Sequence, residues 1–145
     1  MNRTKLNYLA IFVATLIMYV LGALWYSPVM FGKAWMELNG ITDAVMTEAS
    51  PLKMYLTPLV AYLIACYVLA HAVAYAGAKT AATGALVGFW NWLGFVAAVT
   101  FVADSLSNKP LSLWLINAGY NLVGFLIAGV LLALWQPKPA ASPQA

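Results

Sequence analysis

Four apolar runs without a single Asp, Glu, Lys or Arg constrain this chain more than anything else in it. They cover about residues 6–26, 55–76, 82–103 and 111–135. A helix rises about 1.5 Å per residue, so roughly 20 apolar residues match the ~30 Å hydrocarbon core of a bilayer. Inside that core the backbone has no water to bond to, and a helix satisfies its own N–H and C=O groups. The expected fold class is all-α: an integral membrane four-helix bundle, one domain over residues 1–136. Composition agrees. The chain is 64% hydrophobic and 8% charged, against roughly 45–50% and about 25% in soluble domains, and a water-soluble fold of 145 residues has too little interior to hide that excess.

The first run follows the basic start Met1-Asn2-Arg3-Thr4-Lys5. It is longer than the 7–15-residue core of a signal peptide and no convincing cleavage site follows, so it is expected to be a retained helix. Residues 27–53 form the longest polar connection. Within it Met30–Leu38 mixes apolar groups with Lys33 and Glu37, which predicts a short interfacial helix with Phe31 and Trp35 toward lipid. Asn39-Gly40 breaks it, and Thr42 or Asp43 would cap a second short helix reaching Glu48, before Ser50-Pro51. Pro58 falls in the expected opening turn of the second span. The Gly77–Ala81 connector is short enough to make the second and third spans antiparallel neighbours, and Asp104–Pro110 connects the third to the fourth. Pro137 and Pro139 end helix, and residues 137–145 read as a disordered tail.

With four spans, Arg3, Lys5, Lys79 and Lys138 share one membrane face, and Lys33, Lys53 and Lys109 the other. That bias, with the basic pair abutting the first helix, places both termini in the cytoplasm. The formal charge of +3 is dispersed and offers no patch for nucleic acid. Expected partners are membrane lipids and a homo-oligomer or larger membrane complex. Cys66 is the only cysteine, which excludes an intrachain disulfide.

Gly22-Ala23-Leu24-Trp25-Tyr26-Ser27-Pro28 followed by Phe31-Gly32-Lys33-Ala34-Trp35 forms a distinctive block at the exit of the first span. Trp and Tyr favour the water–lipid boundary, and Pro28 turns the chain out of helix. Trp25, Tyr26, Pro28, Lys33 and Trp35 are therefore an interfacial motif. This block, with Asn117-Ala118-Gly119-Tyr120 in the last span, resembles a bacterial domain-of-unknown-function family. The resemblance covers nearly the whole chain and implies a small four-helix membrane protein; the expected location is the bacterial inner membrane. It implies no activity, cofactor or catalytic residue.

No metal, phosphate or nucleophile motif is present in the sequence. No carboxylate falls inside a predicted span, which argues against a self-contained ion pump. His71 is the one ionisable side chain inside a span, either a proton acceptor or ligand, or a neutral imidazole bonded to a neighbouring helix. Gly84, Gly88, Asn91 and Ala98 share one face of the third span, and Asn117, Asn121, Gly124 and Ala128 one face of the fourth. These faces are expected to meet, with Asn91 bonded to Asn121. His71, Asn91, Asn117 and Asn121 form a candidate polar pocket, or the amides are helix-to-helix glue. Trp90, Trp92 and Tyr120 are candidate aromatic lining for a hydrophobic ligand, or bundle core. The functional expectation is a non-enzymatic bundle that binds or passes a hydrophobic or neutral molecule, or a subunit of a membrane assembly. The alternative is a membrane enzyme acting on lipid through His71 or the loop acids.

Overall fold

The computed structural model describes residues 5–42 and 50–137, and these form five helices with no strand among them. They are α1 (Tyr8–Trp25), α2 (Gly32–Asn39), α3 (Pro51–Tyr75), α4 (Ala81–Leu106) and α5 (Leu111–Leu134). The expected second short helix at Asp43–Glu48 and the tail from Lys138 onward lie outside the described residues. Helices α1, α3, α4 and α5 are each long and apolar enough to cross a membrane, the make-up of a multi-pass membrane protein. Helix α2, the start of α3 and the α4–α5 turn share one face of the bundle, called here the cap face. The start of α1, the α3–α4 turn and the end of α5 share the other, the terminal face.

Local chemistry sets the helix ends. Asn7 caps α1, its Oδ1 accepting the Ala10 N–H at 3.1 Å. Pro51 begins α3 at a position where its missing N–H costs nothing. Gly77, at φ 62°, closes that helix with the Ala78 N–H on Val73 O. Thr80 and Thr83 then cap one another at the start of α4. Two side chains tie the terminal face together: Asn7 Nδ2 donates to Trp135 O at 3.1 Å, and Gln136 Nε2 to Ala78 O at 2.9 Å.

Two spans run further than the apolar count predicts. Helix α3 starts at Pro51, four residues before Tyr55, so Lys53 is helical and Pro58 lies two turns inside instead of in the first turn. Helix α4 ends at Leu106 and takes in Asp104, which meets Lys109 at 3.5 Å. Both charges sit within a turn of a helix end, where their heads reach the interface.

Helix α5 is central and packs against α1, α3 and α4, while α1 and α3 also pack on each other. The buried core joins Ala10, Ala14 and Met18 of α1 to Cys66, Leu69, Ala70 and Val73 of α3 and to Ala128, Leu132 and Ala133 of α5. Its many alanines let backbones approach closely, which is how helices associate where lipid is as apolar as the core. Helix α4 lies chiefly on α5. There a Cβ on Gly84 would run into the Gly129 carbonyl, one on Gly88 into the Phe125 carbonyl, and one on Gly129 into Gly84.

The α4 glycine face is therefore as expected, but its partner on α5 is Phe125, Gly129 and Ala133. Gly124 instead faces Met18 of α1. The face also departs from Ala98, which is exposed, while Ala97 is buried. The cause is a π turn over Leu93–Ala97, with the Ala98 N–H bonded to Leu93 O. One five-residue step carries the packed stripe from Trp92 to Ala97, whereas the 3.6-residue period assumes none.

Candidate functional site at the cap face

The interfacial motif and the Asn117–Tyr120 block come together at the cap face. After Trp25 the chain turns sharply: Ser27 Oγ donates to Leu24 O at 2.6 Å, the Phe31 N–H to Trp25 O at 3.0 Å, and the Gly32 N–H to Ser27 O at 2.9 Å. Gly32 has no room for a Cβ, which would collide with the carbonyls of Tyr26 and Ser27. Pro28 sits in this turn, where no donor is asked of it. The reversal throws α2 back over the first turns of α5.

Asn117 fixes it there. Its Oδ1 accepts the Tyr26 hydroxyl at 3.0 Å and Trp35 Nε1 at 3.1 Å, so one amide holds both ends of the turn. The two rings also meet edge-on, with centroids 5.5 Å apart. Trp25 Nε1 donates to Ile116 O at 3.1 Å and its ring packs on Phe31 at 4.9 Å. Beneath lies Tyr120, 1% exposed, donating to Met18 O at 2.8 Å. Its ring lies 5.5 Å from Tyr26, 5.8 Å from Tyr62 and 6.3 Å from Trp25. Gly22 makes the space, since a Cβ there would press on the Tyr120 hydroxyl, while Gly119 lies under the Trp25 ring.

Trp35 thus folds onto the bundle instead of dipping into lipid. An indole N–H finds no acceptor in hydrocarbon and finds one in Asn117. Lys33 and Glu37 are exposed, on the opposite side of α2.

The other sequence candidates are dispersed. Asn121 Nδ2 donates to Asn117 O at 2.8 Å, and Asn91 Nδ2 to Val87 O at 2.9 Å. Among the described residues no hydrogen bond joins Asn91 to Asn121, because each amide reaches the carbonyl one turn back on its own helix. His71 does the same, with Nδ1 3.1 Å from Tyr67 O and its ring between Tyr67 and Tyr75 at 4.7 and 6.0 Å. It lies nine residues beyond Tyr62 on α3, hence about 13 Å along the helix from the aromatic floor. Of the aromatic candidates, Tyr120 floors the cap site, Trp92 donates to Ala118 O at 2.9 Å and clamps α4 to α5, and Trp90 faces outward.

Tyr62 and Gly129 carry contacts that sequence reasoning did not single out, and Phe125, read there as aromatic lining, meets Gly88 through its backbone carbonyl. Depth alone would have pointed to Tyr62, eleven residues from the cap-face start of α3 and therefore level with Tyr120, nine residues into α5.

A family model described as "protein of unknown function (DUF1761)" matches residues 9–133. The chain belongs to this family. The match to DUF1761 runs from the second residue of α1 to the last but one of α5, and so takes in all four spans and the cap. No curated protein and no solved structure matches the chain.

Proposed function

We propose that this protein is a non-enzymatic membrane scaffold, which holds the α2 cap rigidly at one membrane face and serves as a subunit of a larger membrane assembly. One observation carries this reading: the Asn117 amide bonds both Tyr26 and Trp35. The most distinctive residues of the chain thereby position a surface element. That element offers Val29, Met30, Lys33 and Glu37 outward. A solute path along the amide seam fits less well, because α4 and α5 meet backbone to backbone at Gly84, Gly88 and Gly129. A lipid-modifying centre fits less well too, since His71 bonds within its own helix, away from the cap. The charge bias favours both termini cytoplasmic and the cap outside, and the membrane itself we read as the bacterial inner membrane.

A photo-crosslinking side chain at Lys33 or Glu37, activated in intact cells, tests the reading. Protein adducts of defined mass are expected, and they should be lost in Asn117→Leu while the protein still inserts at parental level. Adducts to lipid alone would defeat it.

A further inference from the structure

Helical glycines in this protein mark close approaches. A Cβ at Gly22, Gly84, Gly88, Gly119, Gly124 or Gly129 would meet another helix. Gly94 is different: nothing lies within 4 Å of its Cβ position. It sits in the π turn of α4, with Ala98 also exposed. Beside it, Trp90 is 59% exposed and its indole N–H has no acceptor among the described residues. The indoles of Trp25, Trp35, Trp92 and Trp114 all have one, and that of Trp135, which has none among the described residues, stands at a helix end where water is in reach. Trp90 is nine residues beyond the start of α4, so it lies about 13 Å in, near the middle of a ~30 Å hydrocarbon core. Neither water nor headgroup oxygen reaches that depth, and an unpaired N–H there is unfavourable. Asn91, the next residue, presents the complement: Nδ2 is held by Val87 O while Oδ1 receives no hydrogen bond among the described residues.

We infer that α4 forms a two-fold dimer with α4 of a second copy, Trp90 Nε1 of each chain donating to Asn91 Oδ1 of the other. Three features commit the occupant to a second copy. Donor and acceptor stand side by side on one helix, which is what a self-complementary surface requires. Two copies in one membrane share orientation, so a two-fold along the membrane normal sets their α4 helices parallel and at equal depth. Residues 90 and 91 then differ in depth by about 1.5 Å, within reach of an indole. Finally, Gly94 lies between Trp90 and Asn91 around the helix, one turn on, and with Ala98 it lets the backbones come as close as a small-xxx-small pair allows. Trp90 points away from the stripe of Gly84, Gly88 and Trp92, so the dimer leaves the α4–α5 seam intact. The inference does not depend on what the α2 cap binds.

Single cysteines in a Cys66→Ala background test it in native membranes with a short bis-maleimide. Ala98→Cys should cross-link between copies far more than Ile64→Cys or Leu115→Cys, which are exposed on α3 and α5. Gly94→Leu should reduce the Ala98 cross-link at least tenfold while the thermal unfolding of the solubilised monomer does not fall below the parental value, since a Cβ there meets nothing within one copy and leucine is the better helix former. Trp90→Phe, which keeps a ring and removes the donor, should weaken the dimer about threefold for each of its two hydrogen bonds. Cross-linking at Ala98 no greater than at Ile64 and Leu115, or unaltered by Gly94→Leu, would overturn the dimer. Loss of the α2 photo-adducts with the Ala98 cross-link retained would instead count against the scaffold reading alone.

Discussion

At the scale of single residues, similar amides do dissimilar things. Asn117 gathers Tyr26 and Trp35 from segments 91 and 82 residues away, whereas Asn91 and Asn121 bond one turn back on their own helices. Asn117→Leu leaves a phenol and an indole without their acceptor, and the expected loss is about 1–3 kcal/mol. Trp35→Phe removes one donor and should cost about 0.5–1.5 kcal/mol. The two together should cost less than their sum, because they break a shared hydrogen bond. Denaturant unfolding in detergent micelles measures all three, and strict additivity would mean that the amide does not hold the cap. His71→Gln is expected to change stability by less than about 0.5 kcal/mol, since it disturbs one local bond on a partly exposed ring. Residue types were legible in the sequence, and so were faces apart from Gly124 and Ala98; partners were not. Helical spacing says which residues share a side, but an amide chooses between its own backbone and a neighbouring helix by distances that spacing does not contain.

At the scale of elements, α2 and the α4–α5 seam carry the tests. The α2 pattern of apolar and charged residues is that of an interfacial helix, and only the acceptor on α5 turns Trp35 inward. Brominated lipid should therefore quench wild type and Trp35→Phe to nearly the same fractional extent; a marked drop in quenching on removing Trp35 would put that ring in lipid after all. On the seam, Gly88→Val drives a branched side chain into the Phe125 carbonyl. The expected cost is at least about 1–3 kcal/mol, with α4 separating from α5, read as cross-link loss between cysteines placed at Thr83 and Val130. The four spans were legible because hydrocarbon tolerates little except apolar helix. The π turn at Leu93–Ala97 was not, since nothing in an apolar run signals one extra residue in a turn, and that residue moved the packed face from Ala98 to Ala97.

At the scale of the whole molecule, the chain's charges sort by face. Among the described residues Lys5 and Lys79 occupy the terminal face without an acid, while Lys33, Lys53, Lys109, Glu37 and Asp104 lie toward the cap face. By sequence position, Arg3 is two residues before Lys5 and Lys138 four after the last residue of α5. Cationic loops resist translocation and acids count for little, so the terminal face should stay in the cytoplasm. Cysteines at Lys33 and Lys79 in a Cys66→Ala background separate the possibilities. A membrane-impermeant maleimide should label Lys33→Cys in cells whose inner membrane is intact, and should label Lys79→Cys only after that membrane is opened. The reverse pattern would invert the orientation and leave the bundle as it stands. Labelling of both from one side is incompatible with the bundle itself, because α3 separates the two positions and must cross the membrane once to join them.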